Sequence, residues 1–207
     1  MELPGTLPGQ LYLLAHDPER GRLTGTHNLE PLLRAAALTD LLQRGLLRDA
    51  NGRPEVTGRA PAGLDPVLAG ILTELADGRP RRWRNWIGRR RRTTRAVRDG
   101  LAATGWIRLD EHRVLGLFRT VRPTPRDPRV RKALAAAVSS ALHGPLSRVE
   151  PGDAALVALA DAARLALVLP PKLRREQRER IAALAALCGP VPRALRQAIA
   201  ARDSAAT

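Results

Sequence analysis

Residues 28–45 read NLEPLLRAAALTDLLQRG, and this stretch decides the fold. Its leucines recur at helical spacing, Asn28 can cap the first turn and Gly45 can end the last, so the pattern predicts an amphipathic helix. Arg34 lies on the apolar stripe of that helix, together with Leu38. Burying a charge on an apolar face costs free energy unless the charge is paired or reaches solvent. The pattern therefore favours an Arg34 side chain that extends past the edge of the core or pairs with a carboxylate.

A strand and a turn follow this helix, and the same order recurs later in the chain. Residues 46–52 (LLRDANG) predict a short strand that enters a turn. Residues 79–105 predict a helix interrupted near Gly88, and residues 106–118 alternate as a hairpin does. Further helices are predicted at residues 7–15, 65–78, 129–142, 153–169 and 172–187, with a break at 123–128. We therefore expect a mainly α fold with short β-hairpins, in one domain over residues 1–207 with a flexible tail at 201–207.

The charge of the chain is strongly positive and unevenly distributed. The 207 residues include 35 basic and 20 acidic ones, a net charge of +15, and 33 of the basic residues are arginine. Ten arginines and no acid fall within residues 79–98, which we call the basic segment. A general preference for arginine does not explain that concentration. Trp83, Trp86 and Ile87 lie at helical spacing in it, which predicts one apolar face. The segment is either a solvated basic helix or a contact surface for a polyanion: a membrane, a nucleic acid or an acidic protein.

Several function classes find no support in the sequence. Cys188 is the single cysteine, so there is no disulfide framework, and its apolar surroundings favour a buried structural thiol. The four histidines stand far apart, and no nucleophile elbow, phosphate-binding loop, dinucleotide fingerprint or zinc-protease motif is present. We therefore expect a binding protein and not an enzyme, with no cofactor and no metal.

The sequence also bears on location. No segment like a signal peptide precedes the folded pattern, which argues against secretion. The most apolar stretch, residues 154–169, is too short to span a bilayer and contains Asp161 and Arg164. We expect a cytoplasmic protein that associates peripherally with the cytoplasmic face of the membrane.

Several segments, in their order and spacing, resemble a known family. They are LEPLLRAAALTDL at 29–41, Arg44-Gly45, Asn85-Trp86-Ile87, the basic segment running into LAATGWI at 101–107, the hairpin to Phe118 and the apolar helix from Ala154. Together they are similar to a bacterial member of the Golgi phosphoprotein 3 family, whose eukaryotic members are peripheral membrane proteins that bind phosphatidylinositol 4-phosphate. The resemblance runs from about Leu3 to Ala200. It implies a core of about four helices, with amphipathic helices and a protruding hairpin around it.

The resemblance also implies a basic headgroup pocket beside the hairpin. In the family that pocket uses a tryptophan, an early arginine and two later arginines one helical turn apart. The early arginine falls on Arg34 and one of the later pair on Arg91, while the other falls on Thr94 and the tryptophan on Gly25. Arg90, Arg95 and Arg98 lie close enough in sequence to supply further donors. We expect binding of an anionic headgroup, with Arg34, Arg91, Arg90 and Arg95 as the binding residues. We do not expect a counterpart of the family's arginine-rich N-terminal extension, and the family's role in sorting Golgi enzymes is not carried over.

Two function hypotheses remain. The first is a peripheral membrane protein that binds anionic lipid, with a phosphoinositide favoured. Four or five arginines at about 1 kcal/mol each would contribute roughly 4 to 5 kcal/mol, and two apolar side chains at the hairpin tip, Val114 and Leu115, could add roughly 3 to 5 kcal/mol by inserting. A homo-oligomer is a further expected assembly, because a second copy of the chain would double these contacts with the membrane. The alternative is a nucleic-acid-binding protein of winged-helix type, since a helix followed by a hairpin occurs twice and the net charge suits a phosphate backbone.

Overall fold

The computed structural model of the protein describes residues 2–89, 92–114 and 118–205, and for residues 111–114 and 118–120 it describes the backbone alone. The α-helices of this part are α1 Leu7–Leu14, α2 Thr26–Gln43, α3 Pro66–Ala76, α4 Trp83–Ile87, α5 Thr93–Ala103, α6 Pro128–His143, α7 Pro151–Ala162, α8 Pro171–Glu176, α9 Arg178–Leu187 and α10 Val191–Ser204. A short 3-10 helix spans Leu146–Arg148. The prediction of a mainly α fold is confirmed.

Three antiparallel ribbons complete the fold. They pair β1 His16–Asp17 with β2 Arg22–Leu23, β3 Leu47–Ala50 with β4 Arg53–Val56, and β5 Ile107–Val114 with β6 Phe118–Pro125. The first register joins His16 to Leu23, and the longest ribbon runs from the pair Ile107 and Pro125 to the pair Val114 and Phe118. The second and third ribbons each follow a helix, as the sequence predicts.

Two helices form the centre of the core, because each carries a long run of buried alanines and larger apolar residues. In α2 the side chains from Leu29 to Leu41 are nearly all buried, and in α7 the run from Ala154 to Ala160 is fully buried. The alanines let neighbouring helices approach closely, and α1 and α10 pack against both of these central helices. Asp40 is buried on α2, where its carboxylate accepts a hydrogen bond of 2.7 Å from the backbone N–H of Leu7.

The ends of several elements differ from the sequence expectations. Gly25 takes the N-cap position of α2 in a left-handed conformation (φ 62°), and the Asn28 amide instead donates to the carbonyl of Ala163 at 3.0 Å. The helix predicted at 153–169 ends at Ala162. The helix predicted at 172–187 is divided at Gln177. α7 ends where Arg164 takes a left-handed conformation (φ 54°) and the Leu165 N–H donates to the carbonyl of Ala160 at 2.9 Å.

Two further differences concern β6 and α10. The prolines at 123–128 were expected to break the pattern, yet β6 continues to Pro125, paired with Ile107. The segment 201–207 was expected to be a tail, and α10 runs through it as far as Ser204. None of the helices in the described part of the chain is long and apolar enough to cross a membrane.

Candidate anion-binding site

The basic segment has a buried side and an exposed side. Trp83, Trp86 and Ile87 of α4 are each at most 2% exposed and belong to the core, as their helical spacing predicts. Five exposed arginines of the segment form no ion pair with any residue that the structure describes: Arg79, Arg81, Arg82, Arg84 and Arg92. Unpaired guanidinium groups at this density create a strongly positive surface.

A pocket of about 290 Å³ opens at the C-terminal end of α4, between α2 and α10. Arg89 and Arg202 supply its positive charges, and His27 and Glu30 its other ionisable groups. The Arg89 guanidinium lies 4.9 Å from the centroid of the Trp86 ring and 3.2 Å from the Glu74 carboxylate. The stacking and the ion pair hold this guanidinium in one orientation at the pocket wall.

Arg34 is buried behind that wall, where it makes structural contacts. Its side chain is only 2% exposed. Its Nε donates to the backbone carbonyl of Trp86 at 2.5 Å, and its second terminal nitrogen donates to Glu74 at 2.7 Å. The pairing with a carboxylate that the apolar stripe favoured is therefore present. Glu74 links Arg34 to Arg89, so the buried arginine supports the one that lines the pocket.

Glu30 places a negative charge in the same pocket. One carboxylate oxygen accepts from the backbone N–H of Thr93 at 2.8 Å. The other accepts from the backbone N–H of Thr94 at 2.8 Å and from its hydroxyl at 2.7 Å. These N–H groups belong to the first turn of α5, which otherwise attracts anions. In this chain an internal carboxylate occupies the position, and Thr94, where the resemblance expects an arginine, is the residue that binds it.

Gly25 stands where the resemblance expects the tryptophan of the pocket, and its backbone geometry disfavours a large side chain at this position. Its φ of +62° is a backbone conformation that side chains disfavour. A Cβ built at this position would lie 3.0 Å from Cδ1 of Leu165. A tryptophan here would require a strained backbone and a shift of the Leu165 side chain.

The hairpin of β5 and β6 is anchored close to the same end of α2. The Arg122 guanidinium donates to the carbonyls of Gly21, at 2.6 Å, and Arg20, at 2.9 Å, in the turn that leads into α2. On the other side of β6, His16 lies 3.1 Å from the carbonyl of Pro123, and Arg131 donates to the His16 carbonyl. Burial lowers the pKa of His16, so the ring is neutral at pH 7 and its Nε2–H donates to Pro123.

α10 closes the pocket from the opposite side. The Arg202 guanidinium donates to the side-chain oxygen of Asn28 at 2.5 Å, and His27 lies 3.2 Å from Asp203. These contacts tie the last turn of α10 to the first turn of α2. Within the described part of the chain, no group of three or more histidine, cysteine, aspartate or glutamate residues could hold a metal ion.

The residues that the sequence singled out do not all lie within the described structure. Arg90, Arg91 and Leu115 lie outside the described residues, as does the side chain of Val114. Arg95 is exposed and lies 3.5 Å from Asp99, one turn along α5. Cys188 is buried, and burial raises the pKa of its thiol to about 12, which suits the structural role expected of it.

Sequence reasoning missed Glu30, Arg89 and Arg202 as pocket residues. Arg89 lies in the basic segment but nothing local distinguishes it from its neighbours. Arg202 lies on a helix that was not predicted, although Val191, Leu195 and Ile199 recur at helical spacing and could have revealed it. Glu30 has no local signal, since its partners are 63 and 64 residues away.

Two comparisons with known proteins bear on this site. The family model described as Golgi phosphoprotein 3 (GPP34) matches residues 7–202, nearly the whole chain. The search of curated proteins finds no match.

Proposed function

The chain belongs to the Golgi phosphoprotein 3 family, and on that premise we propose that it is a peripheral membrane protein that binds anionic lipid, with a phosphoinositide as the favoured headgroup. The observation that carries the proposal is the group of five exposed arginines without an acidic partner in the described part of the basic segment. Each cation near an anionic bilayer contributes about 1 kcal/mol. In this proposal the protein binds lipid and catalyses no reaction.

The pocket between α2, α4 and α10 supplies the proposed headgroup contacts. Arg89 and Arg202 line it, and both are partly exposed. Arg34 has a positioning role in this proposal, because its guanidinium is buried against Glu74 and the Trp86 carbonyl. Arg90, Arg91 and Arg95 stay predicted headgroup contacts.

The hairpin of β5 and β6 is the proposed apolar contact with the bilayer. Its tip lies beyond the pair Val114 and Phe118, and insertion of Val114 and Leu115 remains a prediction. Arg122 fixes the base of the hairpin to the turn before α2. Headgroup and apolar contacts would then share one end of the molecule, as peripheral binding requires.

The nucleic-acid alternative is less favoured by the packing of the helices. In a winged-helix protein the helix before the hairpin lies in the major groove. Here α2, which precedes the ribbon of β3 and β4, is buried in the core from Leu29 to Leu41 and has no free face for a groove. α5 has an exposed face, but its Arg95 and Arg98 are paired with Asp99.

Vesicle co-sedimentation tests the proposal. The assay compares neutral phosphatidylcholine vesicles with phosphatidylserine vesicles and phosphatidylinositol 4-phosphate vesicles of equal surface charge, with duplex DNA as competitor. We expect binding to anionic vesicles only, weakened by salt. The triple variant Arg81→Gln, Arg82→Gln, Arg84→Gln should bind at least about 10-fold more weakly, since three surface cations are lost.

The matched control removes the same charge elsewhere. Arg148, Arg175 and Arg193 are exposed and form no ion pair with a described residue, so changing all three to Gln should alter binding by less than about threefold. Equal losses in the two triple variants would show attraction by total charge alone. Equal sedimentation with neutral and anionic vesicles would overturn the proposal, and stronger binding to DNA than to vesicles would favour the alternative.

A further inference from the structure

A second basic pocket lies on the other side of α10. It has a volume of about 180 Å³ and is formed where α7, α8, α9 and α10 meet. Its charged residues are Asp161, Arg174, Arg178 and Arg196, and the rest of its lining is apolar, including Ile181 and Ala185. None of the predicted headgroup residues lines this pocket.

The arginines of this pocket outnumber its acid. The Nε of Arg174 donates to one oxygen of Asp161 at 2.8 Å, and Arg196 donates to the other at 3.3 Å. Arg178 forms no ion pair or hydrogen bond with a residue that the structure describes. With three guanidinium groups and one carboxylate in the lining, the local charge is +2. One carboxylate therefore holds two arginines in place while leaving a positive surplus.

A neighbouring arginine is used for helix capping more fully than those of the pocket, of which only Arg174 contacts a carbonyl of the last turn of α7. Arg180, two positions after Arg178, donates to the carbonyls of Ala141 and Gly144 at the end of α6, at 2.6 to 2.8 Å. Its donors are used to close α6, which is an ordinary structural role. The guanidinium groups of the pocket have no such carbonyl cluster, since Arg174 adds only a long contact of 3.3 Å to the Asp161 carbonyl.

We propose that this pocket binds a phosphate monoester dianion. Such a group carries about −1.5 to −2 at neutral pH, which matches the +2 surplus, and arginine forks bind phosphate oxygens in pairs. A volume of 180 Å³ is about six times the share of one water in the liquid, which suffices for a phosphate. The apolar wall accepts the glycerol or alkyl part that carries the phosphate. A monoester lipid headgroup and a small phosphate ester share this chemistry.

Calorimetry with glycerol 3-phosphate and with inorganic phosphate tests the site. The double variant Arg178→Gln, Arg196→Gln should lose at least about 10-fold in affinity. The matched control, Arg175→Gln with Arg193→Gln, removes the same charge from exposed positions outside the pocket lining and should lose less than about twofold. Circular dichroism and urea unfolding check that both variants fold as the original chain does. No saturable binding in the original chain, or equal losses in the two variants, would overturn the proposal.

A vesicle arm identifies the source of the phosphate. Phosphatidic acid vesicles, which present a monoester, are compared with phosphatidylserine vesicles of equal surface charge. If the ligand is lipid, the pocket variant loses its preference for phosphatidic acid and the control keeps it. If the ligand is a small ester, vesicle binding is equal in the two variants while the calorimetric difference remains. The two proposals can be tested separately, because the two pockets share no lining residue. Arg89→Gln should weaken phosphoinositide binding and leave glycerol 3-phosphate binding unchanged.

Discussion

The carboxylate of Glu30 accepts hydrogen bonds from Thr94 twice, at 2.8 Å from its backbone N–H and at 2.7 Å from its hydroxyl. Glu30, which is distant from Thr94 in sequence, thus places an internal negative charge against the positive N-terminal turn of α5. An anionic headgroup that approaches this end of α5 meets a carboxylate that already uses the donors. Glu30 therefore opposes anion binding in the pocket that Arg89 and Arg202 line.

Replacing Glu30 with Gln should strengthen binding to anionic vesicles by about 3- to 10-fold, because one negative charge leaves a pocket lined by two arginines. The amide oxygen can replace only one of the two accepting oxygens, and the amide nitrogen then faces a backbone N–H donor of α5, so the stability should fall by about 1 to 3 kcal/mol. Vesicle co-sedimentation at fixed salt measures the effect. Glu55→Gln, on the exposed β4, removes the same charge elsewhere, and an equal gain in that variant would count against a specific role for Glu30.

Replacing Arg34 with Ala should lower the free energy of unfolding by about 3 to 5 kcal/mol, because a side chain that is only 2% exposed is removed from the core and its hydrogen bond to Glu74 is lost. The change also leaves the Trp86 carbonyl without this donor. Arg89→Ala removes the second arginine on Glu74 from a position that is 30% exposed, and should cost about 1 kcal/mol. Urea unfolding of the two variants measures both values. Similar small losses would mean that Arg34 does not hold this part of the core.

Replacing Gly78 with Ala should destabilise the protein by about 1 to 3 kcal/mol, because the added methyl group has no space. A Cβ at this position would lie 2.5 Å from the Trp86 ring and 2.7 Å from the backbone carbonyl of Glu74. The backbone atom cannot move aside as a flexible side chain would.

Gly70 provides the control, since it lies in α3 with nothing within 4 Å of its added Cβ. Gly70→Ala should raise the stability by up to about 1 kcal/mol through helix propensity. Thermal melts of the two variants should shift in opposite directions, and a stabilised Gly78→Ala would show that the contact with Trp86 is loose.

The buried ring of His16 should make the stability depend on pH. Burial lowers its pKa below the ordinary 6.5, and nearby Arg131 and Arg122 add to the effect against the opposing hydrogen bond to Pro123. Because the unfolded chain takes up the proton first, the contribution of His16 is complete above pH 6.5 and is lost as the pH falls toward the lowered pKa.

Urea unfolding between about pH 5 and pH 7.5 measures this dependence. We expect the stability of the original chain to fall on the acid side of this range and that of His16→Gln to fall less. His143, an exposed histidine on α6, serves as the control, and His143→Gln should keep the full slope. An unchanged slope in His16→Gln would assign the dependence to other groups.

Local patterns in the sequence were sufficient for the elements whose stability is local. The spacing of apolar residues placed α1, α3, α6 and the body of α2, and Asp65 before Pro66 marked the start of α3, where its carboxylate accepts from the backbone N–H groups of Val67 and Leu68. The same spacing identified Trp83, Trp86 and Ile87 as buried. The concentration of arginine in one segment also indicated where the positive surface lies. Each of these follows from neighbours within one or two helical turns.

The candidate site required the tertiary structure, because its contacts join residues far apart in the chain. Arg34 meets Glu74 across 40 residues, and Glu30 meets Thr94 across 64. No periodicity or capping rule predicts such pairs, since they depend on how α2 packs against α3, α4 and α5. The apolar stripe showed only that the charge of Arg34 needed a partner. Packing decided that the partner is an internal carboxylate, and that a second carboxylate binds the first turn of α5 at Thr94, where the resemblance expected an arginine.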